Sequence, residues 1–180
     1  FKLRRFFKII NQDKRDFIFE YELLKTRDLF TLFGLIFLYP FKTLRLLQKE
    51  NSERDKIFNQ SLLSDIKYFS FDGLTRYILG KHLAEINSME KIFSWSEFQV
   101  IERSFNYAIR KNSHKIKLKA LQFYLNYEVY FNSYVDDLDD DMLSAPHEIF
   151  VNGKYYIQNR ERVKYSVGVS LRYKDIFRFK

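Results

Sequence analysis

Short apolar runs alternate with an amphipathic stretch in the second half of the chain. The runs 91–95 (KIFSW) and 115–123 (KIKLKALQF) have the length and composition of buried strands. Between them an apolar stripe recurs at helical spacing and consists of Phe98, Ile101, Phe105, Ala108 and Ile109. A strand, a helix and a strand within about thirty residues predict one parallel crossover unit.

The helix predicted between the two runs also has a polar face. Its members are Gln99, Arg103, Asn106 and Arg110. In open parallel sheets, ligands bind beyond the carboxyl ends of the strands, where the next helix begins. Residues 95–97 (WSE) occupy that position after the first predicted strand. We therefore expect the functional site at this junction.

The first half has helical periodicity, and its most hydrophobic segment is 29–41 (LFTLFGLIFLYPF). This segment is too short to span a bilayer, which takes about 20 apolar residues. Basic residues flank it on both sides: Lys25, Arg27, Lys42, Arg45 and Lys49. Two interpretations stay open. The segment is either interfacial, in contact with anionic lipid headgroups, or a buried helix that ends at Pro40.

The polar segment 48–61 (QKENSERDKIFNQS) is predicted to be an exposed loop and the best position for an internal boundary. We therefore divide the chain into residues 1–60, a helical basic and aromatic segment, and residues 61–180, a Rossmann-like lobe. Gly73 and Gly80 are predicted to interrupt the helical pattern after the loop. The predicted fold class is α/β, with a helical first half followed by a small parallel Rossmann-like sheet with flanking helices.

The charge balance narrows the class of partner. The chain of 180 residues carries a formal net charge of +8, which favours an acidic partner such as a nucleotide, a phosphate or an anionic lipid. Its basic residues form no single block, so no nucleic acid partner is expected. The absence of cysteine excludes disulfides and is compatible with a reducing cytoplasm. The two ends, Phe1 and an aromatic and basic run at 173–180, indicate a piece of a longer protein.

Glu97 is the principal candidate for a catalytic group. A carboxylate at the start of a helix beside an indole can act as a base or hold a sugar hydroxyl. The competing interpretation is helix capping, because Ser94-x-x-Glu97 and Ser96-x-x-Gln99 each fit a capping box. Trp95 is interpreted either as a stacking platform for a sugar or base, or as a core residue.

The other polar groups each allow two interpretations. Arg103 and Arg110 suit a phosphate, although most helix arginines are simply solvated. The acidic run 136–141 contains Asp-x-Asp, which can hold a divalent metal at a nucleotide-sugar, but a solvated loop is favoured. The three histidines lack metal-ligand spacing, so no metal site is predicted. Asn152-Gly153 indicates either a hairpin or a parallel strand that ends in a turn beneath a ligand.

Three stretches together resemble a known family: 95–110 (WSEFQVIERSFNYAIR), 146–156 (PHEIFVNGKYY) and 167–173 (VGVSLRY). They resemble the end of the N-terminal lobe of bacterial surface-polysaccharide biosynthesis proteins, which look like two-lobed (GT-B-type) glycosyltransferases. The similarity covers residues 91–175 of this chain.

The chain departs from the family pattern at three positions, Phe98, Ala108 and Ala120. The family favours Asn at the first of these and Gly at the other two. Phe98 therefore removes a polar group beside Glu97, the candidate base.

The resemblance implies an acceptor lobe that takes part in making capsule or O-antigen polymers, with its C-terminal nucleotide-sugar lobe missing from this chain. Its substrates would be a nucleotide-sugar and a glycan or lipid-linked acceptor, with no further cofactor. Glu97 would contact the acceptor hydroxyl as its base. The substrate-binding residues implied are Trp95, Gln99, Arg103, Asn152, Gly153 and Arg172.

The implied location is cytoplasmic, and peripheral at the inner face of the cell membrane. Two other classes of function stay open beside the enzyme. One is a non-catalytic basic and aromatic module that binds nucleic acid or an anionic membrane. The other is a structural lobe with no ligand of its own.

Overall fold

The structure is a computed structural model, and it describes residues 2–12, 20–66, 70–122 and 134–168. The first half contains α1 (Lys2–Gln12), a 3-10 turn (Glu20–Leu23), α2 (Thr26–Leu44), α3 (Glu53–Asp65) and α4 (Phe71–Ala84). The second half contains β1 (Lys91–Trp95), α5 (Val100–Asn112), β2 (Lys117–Gln122), α6 (Asp137–Asp141), β3 (Glu148–Val151), a 3-10 turn (Lys154–Tyr156) and β4 (Lys164–Val167). The predicted α/β fold class is confirmed.

The four strands form one sheet in the order β1-β2-β3-β4, and every neighbouring pair is parallel. The carboxyl ends of all four strands therefore lie at the same edge of the sheet. Because β3 and β4 are parallel, the hairpin interpretation of Asn152-Gly153 is wrong. The chain turns after β3 and crosses back to the edge that holds the amino ends of the strands, where β4 begins.

The two faces of the sheet differ in how well they are covered. Leu118 of β2 packs with Ile109 of α5 in one buried cluster, so α5 covers this face. On the opposite face of β1, the exposed fractions of Phe93 and Trp95 are 59% and 48%. Parallel sheets are usually covered on both faces. The second face of this sheet is open at β1.

An ion pair ties three strands together on the more open face. The Nζ of Lys119 donates to Oε2 of Glu148 at 2.8 Å, and the hydroxyl of Ser166 donates to Oε1 at 2.7 Å. The Nζ of Lys164 lies 3.4 Å from Oε1. The hydrogen bond from Lys119 is the main cause that lowers the pKa of Glu148 from 4.5 to about 2.

The lowered pKa of Glu148 predicts a loss of stability in acid. The unfolded chain takes up this proton near pH 4.5, whereas the folded chain takes it up near pH 2, so stability falls as the pH falls through that window. Replacing Glu148 with Gln should cost about 2 kcal/mol at pH 7, because a charged hydrogen-bond acceptor is lost. Urea unfolding at a series of pH values should show a shallower acid loss for E148Q than for the wild type. Equal slopes would contradict the assignment, and E161Q, at an exposed carboxylate, is the control.

The helices α4 and α5 approach each other closely at a glycine. A Cβ added to Gly80 would lie 2.8 Å from the Cβ of Ala108 and 3.0 Å from the carbonyl oxygen of Phe105. Gly80 and Gly73 lie within α4, so the prediction that they interrupt the helix is wrong. Their missing side chains let α5 pack against α4.

Gly80→Ala should therefore destabilise the protein even though Ala favours a helix by about 1 kcal/mol over Gly. The overpacking cost of about 1–3 kcal/mol should exceed that gain. Gly34→Ala is the matched control, because a Cβ at Gly34 in α2 would meet nothing within 4 Å. Chemical denaturation should show a lower unfolding free energy for G80A and an unchanged or higher one for G34A. A more stable G80A variant would contradict the close packing of α4 on α5.

Two further predictions about the first half are wrong. The helix α2 continues through Pro40 and ends four residues later. The predicted loop at 48–61 is helical from residue 53 onward, because Ser52 caps α3 by accepting from the N–H of Asp55. The proposed division after residue 60 falls inside α3 and stays a prediction. No helix in the described ranges combines the length and hydropathy needed to cross a membrane.

Candidate functional site

The junction between β1 and α5 is a tight turn at the carboxyl edge of the sheet. The N–H of Ser96 donates to the carbonyl of Leu121 at 3.1 Å, which extends the pairing of β1 with β2 by one residue. Phe98 then has a φ of 59°, in the left-handed region that bulky residues rarely adopt. Its side chain is 3% exposed and belongs to the core beside Ala120. Phe98 therefore precedes α5 rather than lying in it, as the sequence pattern had predicted.

Three of the predicted site residues meet at this turn. The indole Nε1 of Trp95 donates to Oε1 of Glu97 at 3.1 Å. The side-chain amide of Gln99 donates to Oε2 of the same carboxylate at 2.8 Å. All three residues are exposed, so the core interpretation of Trp95 is wrong. The indole and the carboxylate emerge together where a parallel strand leads into its helix.

Glu102, and not Glu97, caps the start of α5. The carboxylate of Glu102 accepts from the backbone N–H groups of Glu97 and Gln99, each at 3.0 Å. Both capping boxes proposed from the sequence are therefore wrong, since the helix begins at Val100 with Gln99 as its N-cap. The oxygens of Glu97 are held by side chains at the surface.

A cavity of about 360 Å³ lies beside this cluster, at the lower end of the range for small-molecule sites. Phe93 and Trp95 of β1 line it on one side, and Arg76 of α4 and Glu102 of α5 line it on another. Glu97 does not line the cavity itself, but it is hydrogen-bonded to Trp95, which does. The cavity can therefore hold a ligand of about sugar size against the indole.

Arg103 and Arg110 lie on the same face of α5 but have different roles. The Nη1 of Arg110 donates to Oδ1 of Asp140 at 2.6 Å and to the carbonyl of Ala145 at 3.0 Å, so this arginine is structural. The guanidinium of Arg103 lies 4.3 Å from the ring centre of Phe98 and 3.3 Å from Asp139. Arg103 is partly exposed and can approach a ligand more readily than Arg110.

The interpretation of the acidic run 136–141 as a solvated loop is wrong. It forms the short helix α6, and its carboxylates pair with Arg103, Arg110 and Arg162. No set of three His, Cys, Asp or Glu residues in the described part of the chain is arranged to hold a metal ion.

Asn152 and Gly153 follow β3 at the same sheet edge as Trp95. Two strand spacings, or about 10 Å, separate β3 from β1. The buried Oδ1 of Asn152 accepts no hydrogen bond from the described residues. A Cβ at Gly153 would meet nothing within 4 Å, so the space above the turn is open. Arg172 lies outside the described residues.

Two residues at the site were missed from the sequence, Arg76 and Glu102. Arg76 reaches the cavity only because α4 packs on α5, and no local pattern marks that contact. Glu102 had a local signal, since an acidic residue three positions after an N-cap is typical of a helix start. That signal identifies its capping role but not its position beside the cavity.

Comparison with protein-family models, with curated protein sequences and with solved structures finds no match for this chain. The class of protein is therefore defined by its architecture. It is an α/β protein with an all-parallel sheet and a polar cluster at the carboxyl edge of that sheet.

Proposed function

We propose that this chain is the acceptor lobe of a glycosyltransferase-like enzyme in bacterial surface-polysaccharide biosynthesis. The observation that carries the proposal is the exposed pair of Trp95 and Glu97, joined by a hydrogen bond beside a cavity at the carboxyl edge of a parallel sheet. The nucleotide-sugar would come from a second lobe, and the acceptor would be a glycan or a lipid-linked glycan.

In this mechanism Glu97 is the general base for the acceptor hydroxyl. The hydroxyl oxygen attacks the anomeric carbon, its proton passes to the carboxylate, and the bond to the nucleoside diphosphate breaks. Trp95 and Gln99 orient the carboxylate through their hydrogen bonds. The face of the indole packs on the sugar ring.

Further polar groups support a polar ligand at this edge. The Oδ1 of Asn152 is buried and accepts no hydrogen bond from the described residues, so a hydroxyl of the bound sugar is proposed to donate to it. Arg103, partly exposed beside the turn, adds positive charge, and Arg172 is proposed to do the same for phosphate. The left-handed backbone at Phe98 suits the Asn that the resembled family favours there, because Asn adopts this region more readily than Phe.

Glu97→Gln in the protein that includes the nucleotide-sugar lobe should lower kcat for glycan transfer by about 100-fold or more. The substitution keeps the shape of the side chain, so the melting temperature should stay unchanged. The measurement is release of nucleoside diphosphate with and without acceptor. E161Q, at an exposed carboxylate outside the site, is the control. Unchanged turnover of E97Q would remove Glu97 from the mechanism.

We also propose that the lobe works at a membrane surface, through α2. This helix buries Asp28, Leu32 and Thr43 against the protein. The opposite side carries an exposed phenylalanine ridge, formed by Phe30, Phe33, Phe37 and Phe41. Exposed fractions of 76% for Phe30 and 71% for Phe37 are far above those of core residues. The buried-helix interpretation of this segment is therefore wrong for its phenylalanine side.

Basic residues complement an anionic membrane at both ends of the ridge. At ~100° per residue, Arg27 and Arg45 lie beside the ridge at the start and end of α2. The exposed side chains of α1 repeat this chemistry, since Arg5 and Lys8 flank Phe6 and Phe7. Apolar insertion together with positive charge is the pattern of a peripheral membrane helix.

Phe33→Ser/Phe37→Ser should lower binding to vesicles that contain phosphatidylglycerol by about 100-fold, since each phenylalanine loses about 1.5 kcal/mol of burial. Because both side chains are exposed, the double variant should fold normally. The measurement is co-flotation with vesicles. Leu138→Ser/Tyr155→Ser removes a comparable exposed apolar area elsewhere and should bind like the wild type. Equal binding of both double variants would exclude the ridge as the contact.

A further inference from the structure

A second concave surface lies apart from the cavity beside Trp95, between α2, α4 and α5. This groove has a volume of about 480 Å³. Three cations line it, one from α2 and two from α5: Lys42, Arg103 and Lys111. Tyr77 and Tyr107 form one of its walls. None of the described residues that line the groove carries a carboxylate.

The tyrosine wall is pre-formed and fixes one of the cations. The rings of Tyr77 and Tyr107 stack with centroids 6.1 Å apart and an interplanar angle of 26°. The Nζ of Lys111 donates to the hydroxyl of Tyr107 at 2.8 Å and lies 5.1 Å from the centre of its ring. This hydrogen bond raises the pKa of Lys111, so its ammonium stays charged.

The positive charge of the groove is only partly neutralised. Arg103 pairs with Asp139 at 3.3 Å. Neither Lys42 nor Lys111 has a salt bridge to any carboxylate in the described part of the chain. Cations that line one surface without a counter-charge attract anions. The hydroxyl groups of Ser104 and the tyrosines add hydrogen-bond donors suited to phosphate oxygens, whereas the hydroxyl of Ser144 already donates to the carbonyl of Asp139.

We infer that this groove is a phosphate-binding site, in which Lys42 and Lys111 hold the phosphate and the tyrosine pair packs against the group attached to it. The groove shares Arg103 with the proposed acceptor site but is not lined by Trp95, Glu97 or Gln99, and the inference does not depend on the proposed transfer reaction. Because α2 forms one wall, the phosphate can come from a lipid headgroup as well as from a soluble ligand.

The test uses the whole chain and inorganic pyrophosphate as the probe, at constant ionic strength. Amide shifts in a nitrogen–proton NMR spectrum should change mainly around residues 103–111 and Tyr77. Lys42→Gln/Lys111→Gln should weaken binding at least about tenfold. Lys115→Gln/Lys154→Gln removes the same charge outside the groove and should bind like the wild type. Equal affinities of the two double variants, or shifts spread over the whole basic surface, would overturn the inference.

The source of the phosphate is tested with vesicles of phosphatidylcholine that contain either phosphatidic acid or phosphatidylserine. A preference of the wild type for phosphatidic acid, lost in Lys42→Gln/Lys111→Gln, supports the groove and identifies a lipid headgroup as its ligand. Pyrophosphate binding that depends on the groove, without such a preference, supports a soluble phosphate ligand. These measurements report binding alone, so they stay informative whether or not Glu97→Gln abolishes transfer.

Discussion

The parallel pairing of β1 with β2 is the constraint on which the other features depend. Parallel neighbours need a crossover, and α5 provides it by packing its apolar side on the sheet and on α4. The crossover can begin only at the carboxyl edge, so the chain must turn sharply between Trp95 and Val100. Phe98 anchors that turn in the core, and the polar residues on either side of it are turned toward the surface.

A second constraint determines which side of α2 packs against the rest of the protein. The carboxylate of Asp28 accepts from the N–H of Lys25 at 2.6 Å and lies 2.8 Å from Nε2 of His82 in α4. Burial acts to raise the pKa of Asp28, but these hydrogen bonds outweigh it and hold the pKa below its usual value. This polar contact keeps one side of α2 against α4. The phenylalanine ridge must then face outward.

The local sequence pattern was sufficient to predict β1, α5 and β2, because the period and length of the apolar residues distinguish a strand from a helix. It also predicted a site that contains Trp95, Glu97 and Gln99, which lie together because they are near neighbours in the chain. It failed where distant contacts decide the outcome. Gly80 was predicted to break the helix but is a contact point for α5. Asn59, within α3, forms hydrogen bonds with both backbone groups of Gln48 and so holds the segment that precedes this helix. The cavity residue Arg76 could not be found for the same reason.

The hydrogen bond between the indole of Trp95 and Glu97 can be measured directly, because the chain has one tryptophan and therefore one indole N–H signal. The nitrogen–proton NMR spectrum of Glu97→Ala should show this signal shifted toward the position of a solvated indole, whereas Glu161→Ala should leave it in place. An indole signal that is identical in the wild type and in Glu97→Ala would contradict the account, because the two groups would then not meet at the edge of the sheet.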